Sequence, residues 1–235
     1  MRISFVSLFP ATVLAAVRHS MLLRAEQAGI VSFNAVNVRD FATDPHRTVD
    51  DTAYGGGPGM VMKPDVVGAA IDSMQPEGAA VILTDPSGKL FRQADAAALS
   101  NEARLIFVCG HYEGIDDRVA ERYSMRRYSI GDFVLTGGEL PAAAMADAVV
   151  RLLPGVLGSP ESLQEDAFQD GLLSYPQYTK PSEWEGMAVP DVLLSGDHDR
   201  VDKWRRARRL ELTRQNRPDL FARAPLSKDD LKLLQ

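Results

Sequence analysis

AAVILTDPSGKLFRQADAAALSNEARLIFVCG, residues 79–110, decides the fold class. AAVILTDPSG (79–88) is an apolar, β-branched run of strand length that enters a turn, and ARLIFVCG (103–110) is a second such run ending in glycine. Between them, residues 93–100 have the Ala- and Leu-rich texture of a short helix. The order strand, helix, strand predicts two neighbouring parallel strands joined by a helical crossover.

The alternation continues on both sides. Upstream, RISFVSLFP (2–10) and IVSFNAVNV (30–38) are strand-length runs separated by a helical stretch at 12–28, which Gly29 closes as a C-terminal cap. Residues 40–62 break the pattern with four glycines and two prolines and are expected to form a long loop. Residues 63–74 predict a helix with Pro64 in its first turn. Downstream, 116–122 predicts a helix, 127–131 a short strand, and 139–153 a helix starting near Pro141. This is an α/β pattern, a mostly parallel sheet covered on both faces. After Pro154 the texture turns Gly-, Pro-, Ser- and acid-rich, as in a linker or lid, and from Asp199 it is helical again. The expected organisation is an α/β catalytic domain at 1–160, a linker at 161–175 and a small, mainly helical domain at 176–235.

Composition is that of a soluble globular protein, with 45% hydrophobic and 25% charged residues among 235. Cys109 is the single cysteine, so no intrachain disulfide forms and a reducing, cytoplasmic setting is expected. No run of eighteen apolar residues occurs, so no membrane span is expected. The net charge of −6 argues against a nucleic-acid binder, but its distribution softens that. Residues 199–223 hold nine basic side chains against four acidic ones, a local surplus of +5 on a body of −11. Such a patch suits an anionic partner or a solvated helix face.

Three glycine-containing turns follow three strands: LTDPSG (83–88), CGHYEG (109–114) and SIGDFVLTGGELP (129–141). Loops at the carboxyl ends of parallel strands can converge on one ligand, and glycines let the backbone approach it closely. None is GxGxxG and no GxxxxGK[ST] occurs, so Rossmann and P-loop nucleotide sites are not supported. The histidines (His19, His46, His111, His198) show no metal-ligand spacing, and no metal ligands are assigned. Trp184 and Trp204 can pack internally or stack on bases.

CGHYEG followed by SIGDFVLTGGELPA resembles the signature of bacterial tRNA (guanine-N1)-methyltransferases, of the SPOUT class. The resemblance runs on through YGGGPGMVM (54–62), RLLPGVLG (151–158), EDAFQDGLL (165–173), YPQYTKP (175–181), VPDVLLSGDH (189–198) and RPDLF (217–221). It implies a parallel sheet with a C-terminal trefoil knot, a cytoplasmic obligate homodimer, S-adenosyl-L-methionine as cofactor and methylation of N1 of guanosine 37 in tRNA. By match, the cofactor loops are Thr84, Asp85, Pro86 and Gly88; Gly110, Tyr112, Glu113 and Gly114; and Ser129, Ile130, Gly131, Asp132, Phe133, Val134, Leu135, Thr136, Gly137 and Gly138, with Pro141. Asp166 matches the general base and Arg151 the arginine at guanine O6. That assignment also has a chemical sense: N1 carries a proton a carboxylate can take, while a cation stabilises the charge developing on O6. The resemblance further implies magnesium dependence, with Glu113 as the residue that would interact with the ion. The chain departs from the family's pattern at LTDPSG, at His111, where many relatives carry arginine, and at Ser174, where many carry an acid. Three rivals stay open: a SPOUT enzyme for another RNA position, a non-catalytic RNA-binding module, and a nucleotide-binding protein with no RNA partner.

Overall fold

In the computed structural model, which describes residues 1–157 and 167–234, the chain divides into two compact units at 1–158 and 159–235. The first unit is built on β1 (Arg2–Ser7), β2 (Ser32–Asn37), β5 (Ala80–Leu90), β6 (Arg104–Cys109) and β7 (Arg126–Ser129). They form one sheet in the order β2-β1-β6-β5-β7, and every pairing is parallel. Parallel strands need long crossovers, here supplied by α1 (Pro10–Val17) and α2 (Ser20–Gln27), α3 (Pro64–Asp72), α4 (Gln93–Leu99) and α5 (Asp117–Arg122). α6 (Glu139–Val150) follows β7.

Side-chain alternation makes the two-sided core. Ile3, Phe5, Ile82, Leu105 and Phe107 point to one face, where Val13, Val17, Leu99, Met145 and Val149 of the helices cover them. Val6, Val81, Leu83, Ile106 and Val108 point to the other, beneath Val66, Val67, Ile71 and Val119. The Phe5 and Phe107 rings stack with centroids 5.7 Å apart.

Two expectations change. The helix expected at 12–28 is two helices, broken at Arg18–His19, because Ser20 takes a left-handed φ of 46° and the Arg18 guanidinium turns away to Glu26 and the Phe33 carbonyl. The loop at 40–62 contains a short antiparallel pair, β3 (Asp50–Thr52) with β4 (Met60–Met62). That hairpin has a tertiary cause: the Met62 N–H donates to Gly114 O at 2.9 Å, and the Glu113 N–H to Met60 O at 3.0 Å.

The described part of the second unit contains the hairpin Glu183–Trp184/Met187–Ala188 and helices Asp191–Leu194, His198–Asn216, Pro218–Phe221 and Lys228–Leu233. Asp170 to Leu173 pack within this unit. Leu173 donates to Thr213 Oγ1 at 2.9 Å, and Asp170 pairs with both Arg206 and Arg209.

Candidate active site

Because every strand of the five-stranded sheet runs the same way, the carboxyl ends of β5, β6 and β7 share one edge. The three glycine turns meet there around a cavity of about 240 Å³. Thr84, Asp85 and Pro86, Gly110, Tyr112, Glu113 and Gly114, Ser129, Ile130, Gly131, Phe133, Val134, Leu135, Thr136, Gly137, Gly138 and Pro141 line it. Two expected residues stand apart from the lining. Asp132 is exposed on the third loop. Gly88 lies where β5 returns onto β7 after arching out between Thr84 and Lys89, and a Cβ there would come within 2.6 Å of the Arg127 carbonyl carbon. Its glycine serves strand crossing.

The cavity floor is backbone held close by tertiary contacts. Gly138 N–H donates to Gly110 O at 3.0 Å, and His111 and Gly137 form an antiparallel bridge. Thr84 Oγ1 lies 3.3 Å from the carbonyl oxygens of Val108 and Gly138. A Cβ on Gly138 would strike Thr84 Oγ1 and the Cys109 backbone, so only glycine fits. On the second loop Tyr112 holds a left-handed φ of 59°, a conformation disfavoured for a ring-bearing residue and kept by the bonds around it. A Cβ on Gly59 would strike the Glu113 side chain, which sets the 54–60 glycine loop against the second cavity loop.

Behind the floor sits a polar group that no sequence pattern indicated. Glu139, the first residue of α6, is buried, and Ser7 Oγ donates to its Oε1 at 2.6 Å. His111 Nε2 lies 2.8 and 2.9 Å from its two oxygens. Burial pushes the Glu139 carboxyl up, but the hydrogen bonds from His111 and Ser7 outweigh it and hold the group below its ordinary value. Burial, reinforced by the negative charge of Glu139, pushes the Cys109 thiol well up, so this cysteine is a packed, protonated core residue.

Arg151 caps the carboxyl end of α6, its N–H bonded to Asp147 O at 3.1 Å, while the cavity lies at the amino end. Twelve helical residues separate those ends by about 18 Å. Asp166 lies outside the described residues. Among the described residues, no three His, Cys, Asp or Glu side chains come together as a metal-holding group, and no helix is long and apolar enough to cross a membrane. In the second unit Trp204 packs near Tyr178, ring centroids 6.2 Å apart, with Arg208 over its face, whereas Trp184 is exposed on the hairpin.

A parallel α/β sheet with a glycine-floored, small-molecule-sized cavity at its carboxyl edge defines the class: an α/β protein whose loops are shaped to hold a compact ligand. The sequence comparisons then narrow it. The family tRNA (Guanine-1)-methyltransferase TrmD matches residues 1–223, and the chain belongs to that family. Its relatives include proteins named tRNA (guanine-N(1)-)-methyltransferase. That of Dictyoglomus turgidum is 51% identical, over 100% of this chain and 96% of its own length. That of Staphylococcus carnosus is 50% identical over 100% and 96%, and that of Chloroflexus aggregans 53% identical over 100% and 94%.

Proposed function

We propose that this chain transfers a methyl group from S-adenosyl-L-methionine to N1 of the guanosine at tRNA position 37. The observation that carries the reading is the convergence of all three glycine loops on one cavity, in a chain that matches its family over residues 1–223. The residues present fit the cofactor. Gly137 and Gly138 let the third loop close against His111, Thr84 and Gly110, and backbone groups of the 110–114 and 129–138 loops line the cavity, where they can bond an adenine edge and a ribose. When bound there, S-adenosyl-L-methionine supplies an electrophilic methyl group.

The chain's own residues then do the rest. The Asp166 carboxylate takes the N1 proton of guanine, and the N–H bond pair left on N1 becomes the lone pair that can accept the methyl group. The Arg151 guanidinium holds the charge that grows on O6. The donor set does not fit a magnesium ion caged by protein side chains: among the described residues Glu113 belongs to no group of three or more His, Cys, Asp or Glu side chains that could hold one.

Two observations support completion of each site by a second copy, in an obligate homodimer. The rim residues Phe133, Val134 and Leu140 are exposed apolar groups, Val134 at 84%, which suits a covered surface. The outer face of α6 carries Leu140, Ala144, Asp147 and Arg151 at helical spacing. Antiparallel pairing of two such faces would bring Arg151 of one protomer to the cavity end of its partner. The trefoil knot is proposed from membership of the family, and Gly138 does meet both Gly110 and Thr84 of the other two loops. Residues 176–235 of the second unit are proposed as the helical tRNA-binding domain, and residues 161–175 of the same unit as the linker that carries Asp166. A cytoplasmic location follows from the proposed substrate.

The test is transfer of labelled methyl from S-adenosyl-L-methionine to transcripts with guanosine or adenosine at position 37. Incorporation only with guanosine, mapped to N1 and reduced about 10²–10⁴-fold by Asp166→Asn, is the expected result. Equal incorporation with adenosine, or full activity in the variant, would refute it.

A further inference from the structure

We infer that Glu139 and His111 form a positioning pair that latches the third cavity loop to the second, and that retention of the adenosyl cofactor depends on this latch. The inference rests on the cofactor reading above and assigns work to two residues outside the proposed catalytic pair, Asp166 and Arg151.

The third loop leaves β7 and returns at α6, and its middle, residues 132–136, is exposed. Its shape is therefore set at its two ends. At the start, Ser129 Oγ donates to Gly131 O at 2.9 Å and accepts the Gly131 N–H at 3.2 Å. At the return stands Glu139, 6% exposed although charged. A carboxylate so buried must be satisfied by donors, and its donors come from two other elements. Ser7 ends β1, and its hydroxyl is oriented by accepting the Phe9 N–H at 2.7 Å before it donates to Glu139. His111 follows β6. An ionised carboxylate only accepts, so the ring nitrogen facing it carries the proton. The Phe9 ring lies across the imidazole, centroids 5.2 Å apart, and restricts its rotation.

One carboxylate thus ties the end of β1, the second loop and the third loop together. The space is full: a Cβ on Gly137 would strike both the His111 ring and the Glu139 carboxylate. His111 itself lines the cavity, with Glu139 behind it, so loss of the pair releases the glycine floor where the cofactor lies. The amino end of α6 adds a favourable field for the buried charge.

The experiment measures binding of S-adenosyl-L-methionine by calorimetry, and separate KM values for cofactor and tRNA, on the full-length protein. His111→Leu removes the donor at similar bulk. It is expected to raise the cofactor Kd and KM at least about tenfold while the KM for tRNA stays within about twofold, because a hydrogen bond to a buried charge is lost at one site only. His111→Gln can present an amide N–H where Nε2 stood, and recovers most of the affinity. Ser7→Ala deletes one of the two donors with little loss of volume and gives an intermediate rise, which keeps the test open if His111→Leu does not fold. Parent-like cofactor binding in both His111→Leu and Ser7→Ala overturns the latch, as does an equal rise in both KM values or a His111→Gln variant as weak as His111→Leu. A parent protein that neither binds the cofactor nor methylates tRNA overturns the underlying reading instead.

Discussion

The two units are held together by opposite means. The sheet unit buries apolar side chains on both faces, from Ile3 and Phe5 to Val149 and Val150. In the second unit Leu172 and Leu210 are the only buried hydrophobic residues among those described. What replaces a core there is an ion-pair cluster. Asp230, buried, receives Arg206 at 2.7 and 2.9 Å, while Asp170 takes Arg206 at 2.7 Å and Arg209 at 2.5 and 3.0 Å. Arginine suits this because its planar fork can bond two carboxylates at once. The basic stretch at 199–223 has the charge count of a surface for an anionic partner, yet Arg206 and Arg209 are engaged inside the fold. Arg200, Lys203, Arg214 and Arg223 are exposed, with no ion pair among the described residues, and under the proposed function they are the groups available to phosphates.

Truncation of the sheet core should break the contrast most strongly. Phe107→Ala is expected to cost about 3–5 kcal/mol in the first unit, read by denaturant titration or amide exchange of β1 and β6; a loss below 1 kcal/mol would deny this ring its central place. Asp230→Ala should cost less, about 1–3 kcal/mol, and only in the second unit, since it leaves the half-buried Arg206 with one partner instead of two.

The same cluster gives a pH dependence. Asp230 is held below its ordinary value, first by the Arg206 hydrogen bonds, and Asp170 by Arg209 and Arg206 against an opposing push from burial. A lowered native pKa contributes stability that is complete above the unfolded carboxylate value of about 4 and is lost as pH falls through the native one. The second unit should therefore loosen on acidification below about pH 4, followed by the NMR signals of helix His198–Asn216, and Asp230→Ala should flatten that response. A response unchanged by the substitution would sink the ion-pair account.

The smallest expected effect sharpens the division among arginines. Arg214→Gln should leave folding intact and lower the salt slope of tRNA binding by about 1, whereas Arg209→Gln should weaken the unit itself. Equal effects of the two on both readouts would erase the distinction.

Much of the fold was legible along the chain. Apolar, β-branched runs at 2–10, 30–38, 79–88 and 103–110 coincide with β1, β2, β5 and β6; β1, β5 and β6 lie inside the sheet and are buried on both faces, so they are apolar at most of their buried positions, whereas the edge strand β2 buries only Phe33. The break at Ser20 and the β3–β4 pair escaped such reading. The first depends on where the Arg18 guanidinium finds partners, the second on the Gly114 carbonyl some fifty residues on. The loops around the cavity were legible as glycine turns after strands, but the different work of Gly88 and Gly138 was not, since both are glycines in similar turns.

The sequence by itself determined the alternation of strands and helices, the family, and the three loops from which a ligand cavity could be built. These follow from local rules, hydrophobic periodicity and backbone freedom, or from patterns that run the length of the chain. Tertiary structure alone decided which arginines face solvent and which close a small unit. It alone brought Ser7 and Glu139, 132 residues apart in sequence, to 2.6 Å behind the cavity. The physical reason is common to both: burying a charge is tolerated only where donors converge on it, and that convergence is a property of packed elements that no local stretch of sequence contains.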